Sequence, residues 1–126
     1  MIGNKIGSLG ESITLKFLLQ KGFILKHKNY WKPYGEIDIV VEKDRIFHFI
    51  EVKSVSYENP TYDSRETYNP AENVDKYKLQ KLGRVIEAYI AEFHVKDWQF
   101  DVYTVEIDRA LNKARIMVLP NQILPE

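Results

Sequence analysis

Asp38 and the triplet Glu51-Val52-Lys53 stand in two neighbouring apolar runs, where a packed sheet would favour uncharged residues. The first run reads Gly35-Glu36-Ile37-Asp38-Ile39-Val40-Val41, and the second reads Phe47-His48-Phe49-Ile50-Glu51-Val52-Lys53. Carboxylates bind hard divalent cations, and a cation held beside a phosphate polarises it and lowers the pKa of a bound water. A lysine next to them can orient or deprotonate that water and meet the charge that develops on phosphate. Acids and a lysine on one face are thus the minimum apparatus for metal-assisted cleavage of a phosphodiester.

Whether they share a face depends on the hairpin. Side chains two apart in a strand point the same way. Glu36, Asp38 and Val40 therefore go together, as do Phe47, Phe49, Glu51 and Lys53. A two-residue turn centred on Lys43-Asp44 or on Asp44-Arg45 places Asp38 opposite Phe49 or Glu51. Both registers put Asp38, Glu51 and Lys53 on one side, and a slip of one residue separates them. The other side, Ile37, Ile39, Val41, Ile46, Ile50 and Val52, is apolar except for His48 and reads as the deep core. The simpler alternative is a solvated polar face on a half-buried sheet. It accounts for Glu36 and Asp38 but not for Val40, Phe47 and Phe49 among the charges, which suggest a partly covered cleft.

Asp38, then twelve residues, then Glu51-Val52-Lys53 resembles the signature of the PD-(D/E)XK nuclease superfamily. Further matches follow in order: Gly7-Ser8-Leu9-Gly10-Glu11, Gly35-Glu36-Ile37-Asp38, Phe49 to Lys53, Lys78 with Leu82, and Phe100-Asp101-Val102. Together, from about Gly7 to Val118, they resemble the YraN-like family of predicted endonucleases, which is similar to archaeal Holliday-junction resolvases. The resemblance implies a restriction-endonuclease-like α/β fold in the order α-β-β-β-α-β-β, with a mixed, mostly antiparallel sheet flanked by helices. It implies a magnesium site, with manganese as a substitute, on Asp38, Glu51 and the Val52 carbonyl, with Glu11 and Glu36 as further ligands. Asp38, Glu51, Lys53 and Glu11 would be catalytic, and Lys78 would touch phosphate or a metal ligand. A homodimer acting on DNA is the implied assembly.

The elements that must position these groups can be read from periodicity. Lys5 to Lys21 has helical spacing, with Ile6, Leu9, Ile13 and Phe17 as an apolar stripe widened by Leu15, Leu18 and Leu19. Gly22 is placed to end it. Glu11, four residues before Leu15 and seven before Leu18, can point inward; an acid early in a helix is also favoured by the helix dipole alone. Phe23 to Trp31 reads as a strand, followed by a turn at Lys32 to Gly35. Within it Lys26-His27-Lys28-Asn29-Tyr30-Trp31-Lys32 interleaves cations with aromatics. That pattern suits either an edge strand guarded by lysines or a contact with phosphates and bases, in which Lys28 would take part. Val55 to Asn73 is a long polar stretch that could overhang the site, and its one cation, Arg65, could meet a phosphate. Glu72 to His94 reads as a long helix packed through Val74, Leu82, Val85, Ile86, Tyr89, Ile90 and Phe93. Lys78 shares that packed face, as a snorkelling side chain or as one whose head reaches the acids. Gln99 to Ile107 alternates as a strand, Ala114 to Leu119 is a last one, and Asp101 reads as a structural anchor.

The whole chain bounds these readings. Its 126 residues, 44% hydrophobic and 29% charged, suit one domain over 1–126 with a single core. There is no cysteine, hence no disulfide, thiolate ligand or thiol nucleophile. No apolar run approaches the ~20 residues of a membrane helix, so a cytoplasmic protein without a membrane partner is expected. Eighteen basic residues balance eighteen acidic ones. A basic surface for nucleic acid would therefore have to be local. Two other readings stay open: a nucleic-acid-binding module without catalysis, and a structural or partner-binding protein on the same scaffold.

Overall fold

Helical periodicity near the N-terminus forms α1 (Ile2–Gln20). Gly22, at φ +91°, closes it in a Schellman arrangement, with Phe23 N–H donating to the Leu18 carbonyl and Gly22 N–H to that of Leu19. The chain then makes β1 (Ile24–Lys32), β2 (Gly35–Lys43) and β3 (Ile46–Tyr57), crosses through α2 (Lys76–Phe93), and ends in β4 (Trp98–Asp108) and β5 (Lys113–Leu119). The structure is a computed structural model that describes residues 2–57 and 76–126, and of 2–6 the backbone alone. Among these residues the architecture is α/β, in the order α-β-β-β-α-β-β expected above.

The five strands lie side by side in sequence order. β3 and β4 are parallel and every other pair is antiparallel. Parallel neighbours need a crossover, and α2 lies within it. The β2–β3 turn has Asp44 and Arg45 both at positive φ, 53° and 68°. That is the two-residue hairpin turn whose twist matches the strands. It selects between the two registers: Lys43 pairs with Ile46 and Ile39 with Ile50, so Asp38 is aligned toward Glu51 rather than Phe49.

Both faces of the sheet carry a core. Under α2 lie Ile37, Val40, Phe49, Phe100 and Val102, packed on Leu82, Val85, Ile86 and Tyr89. Under α1 lie Ile39, Val41, Ile50 and Tyr103, packed on Leu18. Two sequence expectations change here. The acid-bearing side of the hairpin is as deeply packed as the other, and Ile37 joins Val40 instead of Ile39. Strict alternation breaks between Ile37 and Ile39, opposite Asn29 at φ 53°, and β1 carries a separate register shift between Leu25 and His27. The stripe of α1 is also turned. Gly10, Thr14 and Leu18 are buried, while Leu9 and Leu19 are 44% and 49% exposed.

Asp101 is the anchor it was expected to be. Its carboxylate pairs with His48 Nδ1 at 2.8 Å and accepts Gln99 Nε2 and the Asn121 backbone N–H, each at 2.8 Å. The segment after β5 is thereby fastened to β4. Burial opposes its charge, but these hydrogen bonds outweigh that and hold the carboxyl below the usual aspartate value. β1 is an edge strand bearing Lys26, Lys28 and Lys32, as one of the two sequence readings has it. No helix among the described residues is long and apolar enough to cross a membrane.

Candidate active site

The site lies where the sheet forks. The β2–β3 ladder stops at Ile39–Ile50. Beyond it, Gly35 to Ile37 stay paired with β1, while Glu51 to Tyr57 stay paired with β4. Asp38 and Glu51 are the first residues on either side of the opening. Backbone groups that would have bonded across the ladder need other partners there. Asp38 supplies one, since its Oδ2 accepts the Val52 backbone N–H at 2.8 Å.

A fork also admits groups from both helices. From α2, Lys78 Nζ reaches Glu51 Oε1 at 3.2 Å, and Lys53 Nζ lies 3.5 Å from the same oxygen. From α1, Glu11 is brought in because Gly10 lets the helix sit hard against β3. A Cβ at Gly10 would overlap the Ser54 hydroxyl and come within 2.8 Å of Ser54 Cβ. Glu11 is then bridged to Glu36 by one side chain: Asn29 Nδ2 donates to Glu11 Oε1 at 2.9 Å and to Glu36 Oε1 at 2.7 Å.

The electrostatics follow from this crowding. Burial, then Glu51, and to a lesser degree Glu11 and Glu36, push the Asp38 carboxyl up to about 8, against the lowering effect of the Val52 N–H. Glu51 is itself 6% exposed. Burial and a hydrogen bond with Lys78 hold Lys53 below the ordinary lysine value, with Glu51 pulling the other way. Lys78 is 57% exposed. Burial works against its charge, but its bonds to Lys53 and Glu51 raise it overall. Of the two amines, Lys78 thus holds its proton more tightly than an ordinary lysine and Lys53 less tightly. The donor set is all oxygen and over-supplied with negative charge, which fits a hard dication such as magnesium. Among the described residues no three Asp, Glu, His or Cys side chains already form a metal-holding group. Two carboxylates would therefore need a backbone carbonyl and water to complete a shell.

Of the residues singled out in the sequence, Asp38, Glu51, Lys53, Val52 and Lys78 come together in the fork, and Glu11 and Glu36 stand at its mouth through Asn29. Lys28 does not join them; it is exposed on the edge strand opposite Ile39. Arg65 lies outside the described residues. Asn29 is the residue sequence reasoning passed over. Its signal was an asparagine in mid-strand, a position where that residue type is disfavoured unless the backbone is irregular.

A family model described as "Uncharacterised protein family UPF0102" matches residues 10–105. That span takes in Glu11, Asp38, Glu51, Lys53 and Lys78. A UPF0102 protein of Campylobacter jejuni is 36% identical over 103 residues, covering 81% of this chain and 84% of the relative. One from Dictyoglomus thermophilum is 34% identical over 112 residues, 87% of this chain and 89% of the relative. One from Campylobacter hominis is 33% identical over 118 residues, 93% and 92% of the two chains.

Proposed function

The chain belongs to the uncharacterised protein family UPF0102, the YraN-like group, and on that premise we propose that it is a magnesium-dependent endonuclease hydrolysing phosphodiester bonds in DNA. Branched intermediates of recombination and repair are the candidate substrates. The observation that carries the reading is the fork, with one carboxylate on each lip, Asp38 half-buried and Glu51 buried, and the amines of Lys53 and Lys78 both within 3.5 Å of Glu51 Oε1.

Asp38 and Glu51 would hold the magnesium, with the Val52 carbonyl as a third oxygen and Glu11 and Glu36 bearing on it from the α1 side. The cation would neutralise the phosphate and lower the pKa of a bound water. Lys53, relieved of part of its affinity for a proton, would orient the attacking water or take its proton. Lys78, favoured as the cation, would meet the phosphate and stabilise the charge that grows on it. Glu51 holds both amines by one carboxylate oxygen, so their heads are preset relative to the ligand.

The test is cleavage of supercoiled, single-stranded and branched DNA with magnesium or manganese. Wild type should cut, and Asp38→Ala and Lys53→Ala, purified identically, should not. Equal cutting by all three would mark a contaminating nuclease. No cutting by wild type on any substrate, with DNA still bound, would leave a binding module on a nuclease scaffold. No binding even at low salt would leave a partner-binding protein.

A further inference from the structure

Lys76, Lys78, Lys81 and Arg84 put four cations and no acid into Lys76 to Arg84, in a chain whose net charge is zero. Lys78 is occupied at the fork. Lys81 and Arg84 lie one flank away, and each caps an aromatic ring. Lys81 Nζ is 4.3 Å from the centre of Tyr77, and the Arg84 guanidinium is 4.8 Å from that of Tyr34. Gly35 makes the second pair possible: a Cβ there would come within 3.0 Å of Val85, so its absence seats the β1–β2 turn against α2. Beside these residues runs a groove of about 480 Å³, lined among others by Tyr77, Lys81, Arg84 and Trp98. Tyr77 is 62% exposed and Trp98 42%. Glu87 and Glu126 line the same groove. A phosphate in it is therefore drawn to Lys81 and Arg84 and away from Glu87 and Glu126.

We propose that this groove binds a nucleotide unit of unpaired DNA, with the base against Tyr77 and the phosphate on Lys81 and Arg84. A duplex keeps its bases stacked on one another and offers only backbone, whereas an unpaired base has a π-face to give. Cations on tyrosine rings favour such a platform, because they stack on or meet the nucleotide without a large reordering. The groove is on the helix that sends Lys78 into the fork, so a strand leaving the site has it within reach. The inference rests on the nuclease reading for its direction, but its test does not depend on cleavage.

The test is fluorescence anisotropy of a labelled oligothymidine and of a blunt duplex, in EDTA, with the full chain. Wild type should bind the oligothymidine more tightly than the duplex. Tyr77→Ala should weaken oligothymidine binding by about fivefold or more and leave the duplex nearly unchanged, and Tyr77→Phe should restore it. Lys81→Gln with Arg84→Gln should weaken both ligands and reduce the slope of log K against log salt by roughly one to two. Matching thermal melts would establish that the variants are folded; Tyr77 is exposed enough to be replaced without touching the core. Wild-type binding by Tyr77→Ala, a preference for duplex, or no binding of either ligand would overturn the groove. Retained binding without any cleavage by wild type would overturn the nuclease reading and leave the groove standing.

Discussion

Asp38, Glu51, Lys53 and Lys78 form one electrostatic unit, and removing any member changes the others. Asp38 and Glu51 repel, and a dication between them would relieve that repulsion. Magnesium should therefore raise the melting temperature of wild type, read by scanning fluorimetry, and Asp38→Ala or Glu51→Ala should abolish the rise. A rise of the same size in either variant would remove that residue from the metal assignment. The lysines carry a kinetic prediction. If neutral Lys53 takes the proton, the cleavage rate climbs with pH as Lys53 loses its own proton. Lys53→Ala should then cost roughly 10²- to 10⁴-fold in rate. Lys78→Met removes a charge and a hydrogen bond that keep Lys53 below its ordinary value. Burial is the largest cause and remains, so the climb should move to higher pH without disappearing. At neutral pH the variant should be slower by about tenfold for each unit of displacement. A profile that keeps its position while the whole rate falls would give Lys78 a phosphate contact and no hold over Lys53.

The elements matter because they decide which of these side chains can meet. The charged hairpin is legible in the sequence, since a period of two fixes faces and a two-residue turn limits the registers. The fork is not, because where a ladder stops depends on which partner each half of the strand keeps, and that is a long-range choice. The α1 stripe was misread for a related reason: Gly10 and Thr14 do not look like core, yet close approach to β3 favours a glycine over a leucine. Gly10→Ala should lift α1 off β3 at a cost of about 1–3 kcal/mol, and carry Glu11 away from the fork. Adding Ser54→Gly, which removes the atoms a Cβ would strike, should recover most of the stability in denaturant melts and much of the cleavage. If the double variant is no better than Gly10→Ala alone, the packing account of Gly10 fails. Asn29 has a comparable role in β1. Its left-handed backbone suits glycine and strains a β-branched residue, so Asn29→Val should be less stable than Asn29→Gly by roughly 1–2 kcal/mol. Both should weaken the hold on Glu11 and Glu36, which depends on the side chain.

At the scale of the molecule, the balance of eighteen basic and eighteen acidic residues hides a strong local division. Acids are concentrated at the fork and cations along the start of α2, so the total charge says little about partners, and this is why composition alone could not identify them. The same division sets how stability depends on pH. Asp101 has a folded pKa below its unfolded one, so its contribution is present above about pH 4 and is lost as pH falls through the folded value. Asp38 has the opposite sign. Its folded value, about 8, lies above the unfolded one. Between the two the native state holds a proton that the unfolded chain has released, and unfolding gains favour as pH rises. Added together, the two terms place the stability maximum of the metal-free protein near about pH 4, with a decline toward about pH 8. Asp38→Asn should flatten that decline and melt higher than wild type at about pH 8, with the gap closing as pH falls toward about 4. Asp101→Asn should instead lower stability at neutral pH and narrow its gap to wild type in acid. Magnesium should act on the Asp38 limb alone, raising wild type most at high pH, where the carboxyl is free to bind it. Urea melts across the pH range, with EDTA and with magnesium, read all four curves. A metal-free wild type whose stability is level or rising from about pH 5 to about pH 8 would mean that Asp38 ionises without penalty, and that the fork is wetter and less crowded with charge than its geometry requires.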